Sequence, residues 1–307
     1  MTGPSADDFY RPWERTIAGW PHFQESVYEL AVRYPNQRLL WRGARDAGWG
    51  VESSLYRQLT THRGRAPREE DMVEAERRIL ALARETWRFD GMGALETFAH
   101  LQHLGGPTRL LDVTENPLIA AWFATERESG GDETDSRLFA FVTPGRDIRL
   151  NSRWGGRDPH WHAVSNASED QRRLHRWGTG TGRRYWRPPA YDARISSQSA
   201  GFLLDGVPIR AAENGFGRKG PDTEETWSSD DMRKFGSIPL KLTTIRRGEL
   251  RATAAPVFTF RIAADARANI LDQLERRYGY NAAAMYSDLY GLARYLTARP
   301  DRWADPS

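Results

Sequence analysis

Apolar residues recur at helical spacing in several parts of the chain, and each part predicts a helix because such residues share one face. The clearest case is the segment 69–88, whose apolar face includes Met72 and Trp87 and whose opposite face carries Glu74 and several arginines. The predicted helices cover residues 22–34, 69–88, 94–103, 114–124 and a last segment that begins near Ser287.

The helix predicted from Thr114 differs from the others, because residues 118–124 are apolar on nearly every side. Thr114 is a suitable N-cap, and Pro117 is tolerated in a first turn. A helix without a polar face is a buried helix. We therefore expect this helix at the centre of the fold.

Short apolar runs bounded by turn residues predict strands. These runs cover residues 37–43, 137–143, 201–206, 237–245 and 256–262. Since the strands are scattered among the helices, the pattern predicts an α+β fold in which helices pack on a mixed sheet.

We place one large domain at residues 22–297, the span over which motifs of this chain resemble a protein family. Residues 1–21 are then an N-terminal extension and residues 298–307 a C-terminal tail. Within the domain, residues 146–193 have little apolar periodicity. This segment is predicted to be a basic, loop-rich insertion.

The basic character is concentrated in residues 171–191, which contain six arginines, four aromatic residues and no acidic residue. Arginines neutralise phosphates and aromatic rings stack on bases, so this composition is typical of proteins that bind single-stranded nucleic acid. The alternative is a solvated loop whose aromatic residues pack on the core. The candidate nucleic-acid-binding residues are Arg172, Arg173, Arg176, Trp177, Arg183, Arg184, Tyr185 and Trp186.

Overall charge and composition narrow the classes of protein to which this chain can belong. The net charge of the 307 residues is only +3, so nucleic-acid binding would need local charge. The absence of cysteine excludes disulfides and thiolate chemistry and is compatible with the cytoplasm, where we expect the protein. We expect no membrane contact, because the chain has neither a secretory signal pattern nor an apolar run of about 20 residues.

The usual motifs for phosphate, zinc and serine-hydrolase chemistry are missing from the sequence. Glu96, His100 and His103 fall at i, i+4 and i+7, and Asp158 lies near two further histidines. Neither group has the spacing of a recognised metal signature. We therefore expect no metal.

The segment 101–124, LQHLGGPTRLLDVTENPLIAAWFA, concentrates polar residues directly ahead of the buried helix. Its helix N-terminus at Thr114 would favour an anion, because backbone N–H groups are free there. Arg109 and Asp112 are three residues apart and could instead pair with each other at a structural corner. Both interpretations are open from the sequence.

Three motifs in the first half of the chain resemble the FRG domain family of bacterial and phage proteins. They are the aromatic-Arg-Gly motif Trp41-Arg42-Gly43, the segment Ser54-Leu55-Tyr56-Arg57, and residues 102–114, which match Gln-His-x-Gly-x-Pro-Thr-Arg-Leu-Leu-Asp-x-Thr. Later segments, RISSQSAGFLL and AAAMYSDLYGLARYL, are similar to the family as well, so the resemblance spans about residues 22–297.

This sequence departs from the family pattern at four positions. Trp41 replaces the usual Phe or Tyr, Val113 replaces Trp, and Tyr290 replaces an acidic residue. Glu52 stands where the family often has proline, so a role for Glu52 would be peculiar to this chain.

The aromatic-Arg-Gly strand implies, by analogy of fold, an ADP-ribosyltransferase-like enzyme that uses NAD as its substrate. Such chemistry needs a cationic clamp for the pyrophosphate and a carboxylate or amide near the nicotinamide ribose. The candidate catalytic residues are Arg42, Glu52, His103, Asp112 and Gln198, and the candidate NAD-binding residues are Arg42, Gly43, Thr108, Arg109 and Thr114.

The acceptor would be a nucleobase in single-stranded DNA or RNA, since a base must be unstacked to react. The family resemblance makes a toxin or phage-defence setting natural, with an antitoxin or another defence protein as partner. Two other classes stay open. One is a metal-independent nuclease or hydrolase with His103 as general base and Asp112 orienting it; the other is a sensor in which Arg42, Thr108 and Arg109 bind a nucleotide without turnover.

Overall fold

The computed structural model describes residues 4–127, 134–143, 145–189, 193–209, 216–245, 255–298, 300 and 303–304. Within these residues the fold is α+β, as predicted, with helices packed on one mixed seven-stranded sheet. The strands are β1 (Arg15–Ile17), β2 (Leu39–Ala44), β3 (Leu111–Thr114), β4 (Ser136–Val142), β5 (Arg184–Trp186), β6 (Ala200–Leu204) and β7 (Val257–Ile262). Their order is β1-β7-β4-β2-β3-β6-β5, and every pairing except β1 with β7 is antiparallel.

The helices cover both faces of the sheet. They are α1 (Ala6–Tyr10), α2 (Trp20–Arg33), α3 (Ser54–Arg63), α4 (Glu69–Ala81), α5 (Ala94–His103), α6 (Pro117–Thr125), α7 (Trp161–Ser165), α8 (Glu169–Leu174), α9 (Ala193–Ser197), α10 (Ser229–Phe235), α11 (Ala264–Tyr278), α12 (Ala282–Met285) and α13 (Leu289–Ala298). A π-helical turn, Leu82–Thr86, follows α4, and a 3-10 turn covers Arg153–Gly155. No helix in the described parts of the chain has the length and apolar character that a membrane span requires.

Most of the predicted elements are confirmed, and the differences have local causes. Residues 237–245 do not form a strand; only Leu242 makes an isolated bridge, with Val257. The N-cap prediction for Thr114 is wrong, because Thr114 ends β3. Asn116 caps α6 instead, and its side-chain Oδ1 accepts a hydrogen bond from the Leu118 N–H at 2.9 Å.

Within the predicted extension at 1–21, the described residues 4–21 belong to the domain rather than extending from it. Their strand β1 pairs with β7 at the edge of the sheet, and Tyr10 of α1 is fully buried. Glu14 accepts hydrogen bonds from Arg137 at 2.6 Å and from Arg261 at 2.8 Å. These buried ion pairs tie the N-terminal residues to two central strands.

Within the predicted insertion at 146–193, the described residues 146–189 also form part of the core rather than a loop-rich insertion. Four tryptophans from this segment are buried together with residues of α5 and β6. They are Trp154, Trp161, Trp177 and Trp186. Their irregular spacing hides this packing from a periodicity argument, because the rings come from turns and short elements rather than one long helix.

The helix α6 lies very close to β2, and Gly43 makes this approach possible. A Cβ atom on Gly43 would lie 2.1 Å from the backbone oxygen of Ala120 and 2.6 Å from the backbone nitrogen of Ala124. Neither backbone atom can move without displacing the whole helix. The Gly of the aromatic-Arg-Gly motif is therefore required by packing.

We expect Gly43→Ala to destabilise the protein by at least about 1–3 kcal/mol, the usual cost of overpacking a filled core. Urea denaturation monitored by circular dichroism measures this change. Gly91→Ala is the matched control, because a Cβ on Gly91 would meet no atom within 4 Å. Equal stability of the two variants would contradict the packing argument.

Candidate active site

A cleft of about 810 Å³ opens where the sheet separates between β2 and β3. These two strands pair at a single position, where Trp41 of β2 lies opposite Thr114 of β3. By contrast, β2 pairs with β4 over six residues and β3 pairs with β6 over four. The strands thus diverge beyond Trp41, and residues of both strands line the opening.

Arg42 crosses the opening between the strands. Its Nη1 donates a hydrogen bond to the backbone oxygen of Asp112 at 2.8 Å. Burial lowers the pKa of Arg42, Asp112 opposes this shift, and the neighbouring Arg57 adds to it. Because guanidinium groups stay protonated in proteins, Arg42 places a partly desolvated positive charge in the cleft.

A hydrogen-bond network holds Asp112 on the β3 side. The Nε2 of Gln102 donates to Asp112 Oδ2 at 2.7 Å, and the Oε1 of Gln102 accepts from Thr108 at 2.6 Å and from Ser54 at 3.1 Å. The Ser54 hydroxyl in turn accepts from the Thr108 N–H at 3.0 Å. The Gln, Thr and Asp of the 102–114 motif are therefore one unit, and Gln102 is its centre.

Glu52 is a half-buried carboxylate that lines the same cleft. Burial raises its pKa, and the positive charge of Arg57 partly opposes this shift. Arg57 donates a hydrogen bond to the backbone oxygen of Glu52 at 2.8 Å, not to its carboxylate. Among the contacts of the described residues, the Glu52 carboxylate has no hydrogen bond or ion pair.

The other two predicted catalytic residues, His103 and Gln198, also line the cleft. His103 Nε2 is 4.0 Å from the Oδ2 of Asp288. The Nε2 of Gln198 donates to the backbone oxygen of Met285 at 2.8 Å, and its own backbone oxygen accepts from the Thr114 hydroxyl at 2.7 Å. Gln198 and Thr114 thus join the end of β3, the turn between α9 and β6, and α12 at the cleft wall.

The structure corrects the prediction for Arg109, which lies outside the cleft. Its side chain is 3% exposed and pairs with Glu69 at 2.7 Å and with Glu76 at 2.8 Å. Burial alone would raise the pKa of Glu76, but Arg109 and His162 lower it to about 2. Since Arg109 is neutralised in the interior, it is not available to clamp a phosphate, nor does it pair with Asp112.

Thr108 is also outside the cleft lining. It is fully buried, and its hydroxyl donates to Gln102. Of the five predicted NAD-binding residues, the structure therefore brings together Arg42, Gly43 and Thr114. All five predicted catalytic residues line the cleft.

The stacking interpretation of residues 171–191 is corrected as well, because the described aromatic rings of this segment are buried. They are Trp177, Tyr185 and Trp186, and they are joined in the interior by Arg172 and Arg183. Arg173 pairs with Asp170 at 2.8 Å and also with Glu169. Arg176 is exposed, and Arg184 is half-buried. The alternative interpretation, in which the aromatic residues pack on the core, describes this segment correctly.

Several cleft residues were not among the predicted ones. Glu126 accepts hydrogen bonds from the Tyr286 hydroxyl at 2.9 Å, and Arg45 lies 3.8 Å from Glu126. The Arg45 guanidinium is also 5.8 Å from the ring centre of Trp49, which is half exposed. Arg45 and Trp49 follow the aromatic-Arg-Gly motif closely, and this proximity was the available signal for them. Tyr286 lies in the later segment that resembles the family.

No group of three His, Asp or Glu side chains in the described residues is arranged to hold a metal ion. The side chains considered for such a site have other partners. Glu96 accepts a long hydrogen bond from the Gly93 N–H at 3.4 Å. His162 lies 2.9 Å from Glu76, and Asp158 lies 3.4 Å from Arg84.

The fold and the cleft define an α+β protein whose candidate active site occupies a split in a mixed sheet. Residues 37–133 match the family model of the FRG domain. The match is shorter than the span of 22–297 over which motifs resemble the family, yet it includes Arg42, Glu52 and Asp112. No curated protein and no solved structure was found to match the chain.

Proposed function

We propose that the cleft binds NAD and that the protein transfers ADP-ribose from NAD to an acceptor. The observation that carries this proposal is the split between β2 and β3, which brings Arg42, Asp112 and the unpaired carboxylate of Glu52 to one cleft. The cleft volume lies in the range of sites for small molecules and cofactors. The FRG domain match covers these three residues.

Arg42 and Arg57 would bind the pyrophosphate. Guanidinium groups suit this role, because they offer paired donors to phosphate oxygens. Two other cations line the cleft, but each already has a carboxylate neighbour: Arg45 lies 3.8 Å from Glu126, and Lys234 lies 2.9 Å from Asp231. Arg42 and Arg57 are therefore the cations that we assign to the anion.

The open edge of β2 would bind the nicotinamide carboxamide. Residues 42–44 pair with β4 along one edge and line the cleft along the other. An unpaired strand edge offers backbone N–H and C=O groups, and a primary carboxamide can pair with both. Trp49 and Phe123 offer rings against which a flat base can pack.

Glu52 would stabilise the reacting centre. The bond between the ribose C1′ and the nicotinamide nitrogen breaks, and nicotinamide leaves with the bonding electron pair. A positive charge then develops on the ribose, as in other glycosyl transfers, and a carboxylate stabilises it. As the acceptor oxygen or nitrogen bonds to C1′, its proton passes to the Glu52 carboxylate. Asp112, held by Gln102, would bind a ribose hydroxyl.

The geometry gives less support to the other classes considered. A general base at His103 oriented by Asp112 would need those two side chains in contact, but Asp112 accepts from Gln102, and His103 lies beside Asp288. A nucleobase acceptor held by residues 171–191 is not supported, because their described rings are buried. Toxin or phage-defence settings, with the corresponding partners, follow only from the family resemblance.

We expect the purified protein to release nicotinamide from NAD. In Arg42→Ala, the rate of this release should fall at least about a hundredfold, because the variant lacks a charge-assisted contact with the phosphate. Mass spectrometry of NAD, nicotinamide and ADP-ribosylated products, with DNA, RNA or lysate as acceptor, measures it. Arg77→Ala is the matched control, because Arg77 is exposed on α4. NAD that binds but stays intact would indicate a sensor, and NAD that does not bind would overturn the proposal.

A further inference from the structure

Two aromatic side chains protrude from the surface directly after α4 and its π-helical turn. Trp87 is 64% exposed and Phe89 is 54% exposed. Arg88, between them, has a φ of 62°, which residues with a side chain rarely adopt. Strained residues and π-helical turns are frequent at functional sites. The apolar pattern of 69–88 would place Trp87 against the core, whereas in the structure both rings lie on the outside.

Hydrogen bonds on both sides of Trp87 and Phe89 connect their segment to the turn at residues 153–158. The Arg84 guanidinium donates to the backbone oxygen of Arg157 and lies 3.4 Å from an Asp158 carboxylate oxygen. At the other end of the segment, the Ala94 N–H donates to the backbone oxygen of Gly156 at 3.0 Å. The segment that carries the exposed rings is therefore joined to this turn on both sides of the rings.

The surface at the rings and this turn carries more positive than negative charge. Arg88, Arg153 and Arg157 are exposed, and their side chains have no ion pair among the contacts of the described residues. The Arg184 guanidinium lies 4.6 Å from the ring centre of Trp154. The neighbouring acidic residues are Glu85 and Asp90, together with Asp158, which already faces Arg84.

Positive charge next to this surface is concentrated around Arg184. Burial lowers the pKa of Arg184, and the charges of Arg146 and Arg153 lower it further, while Asp205 opposes them. Like charges repel one another, so a polyanion that binds here would relieve the repulsion. Charge complementarity thus favours an anionic partner.

We propose that the surface formed by Trp87, Arg88, Phe89, Arg153 and Arg157 binds single-stranded nucleic acid. Bases would stack on the two rings, and phosphates would contact the arginines, the combination by which such proteins hold a strand. A duplex hides the faces of its bases, and an acidic peptide offers no flat rings in series. None of these five residues lines the cleft, so the surface is separate from the site proposed for NAD.

Fluorescence anisotropy with labelled oligothymidylate or oligouridylate and the full chain tests this proposal. The double variant W87A/F89A is expected to bind at least about tenfold more weakly, because it lacks both rings on which bases would stack. Y28A is the matched control: Tyr28 is 70% exposed on α2, and we expect its loss to leave binding unchanged. Because Trp87 and Phe89 are exposed, the variants should keep the wild-type melting temperature.

A second pair of substitutions tests the binding of phosphates by the arginines. R153Q/R157Q is expected to reduce the slope of log K against log salt by about 1.4, since each phosphate of a single strand that an arginine neutralises adds about 0.7 to it. No binding by the wild type at low salt, or unchanged binding by W87A/F89A, would overturn the proposal. Tighter binding of polyglutamate than of the oligonucleotide would assign the surface to an acidic protein instead. NAD cleavage, measured separately, reports on the cleft alone.

Discussion

Glu52→Gln is expected to lower the rate of nicotinamide release from NAD about 10²- to 10⁴-fold, the range for losing a catalytic acid or base. The other carboxylates that line the cleft already have partners, since Asp112 accepts from Gln102, and Glu126 accepts from Tyr286. Glu52 is thus the cleft carboxylate that is free to meet a positive charge. Single-turnover kinetics and NAD binding, measured side by side, separate catalysis from affinity.

The pH profile provides a second readout for Glu52. Burial raises the pKa of Glu52, so the active carboxylate is lost as the pH falls through a value above the ordinary range for glutamate. Arg57 lowers this pKa. Arg57→Met should therefore shift the acidic limb of the profile to higher pH.

Asp112→Asn is the matched comparison for Glu52→Gln. It removes a carboxylate from the same cleft but leaves Glu52 and its pKa in place, so we expect the acidic limb to stay where it is in the wild type. Full activity of Glu52→Gln, or a limb that moves to lower pH in Arg57→Met, would show that another group performs the chemistry.

Arg109→Met is expected to destabilise the fold by about 3–5 kcal/mol, since it leaves buried carboxylates without their cation. Both partners, Glu69 and Glu76, are fully enclosed. The Nε1 of Trp177 donates to Glu69 at 3.0 Å, and the Nε1 of Trp161 donates to Glu76 at 3.1 Å. Urea denaturation at neutral pH measures the loss.

The pH dependence of stability distinguishes this buried network from a surface pair. The Glu76 carboxyl has a folded pKa of about 2, below its ordinary value of 4.5. Its contribution is therefore present above about pH 5 and is lost as the pH falls towards 2. The wild type and Arg109→Met should become more similar in stability over that range.

Two further variants make the test of the network specific. The triple variant E69Q/E76Q/R109M removes the charges together and should be more stable than Arg109→Met alone. Arg78→Met is the surface control, because Arg78 pairs with Glu74 in an exposed i,i+4 contact, and such pairs contribute little. A loss of stability in Arg78→Met equal to that in Arg109→Met would refute the argument.

Local patterns predicted much of the fold because they reflect local physics. The range 94–103 matches α5, and the all-apolar residues 118–124 lie in the buried helix α6. The strand β3 was missed, since its four residues follow a loop and are too short to show alternation. The burial of Trp177 and Trp186 was also beyond local patterning, because their packing partners come from distant segments.

The sequence alone determines where most of the helices and strands lie, and it places Arg42 and Asp112 in motifs that resemble one family, with Glu52 close to Arg42 along the chain. It does not distinguish Arg42 from Arg109, because both are arginines inside motifs of the same family. The difference arises in three dimensions: Glu69 and Glu76 on α4 neutralise Arg109 in the interior, while the divergence of β2 from β3 leaves Arg42 facing a cleft. A charge acquires its role from the groups that fold around it, and for these arginines most of those groups lie tens of residues away.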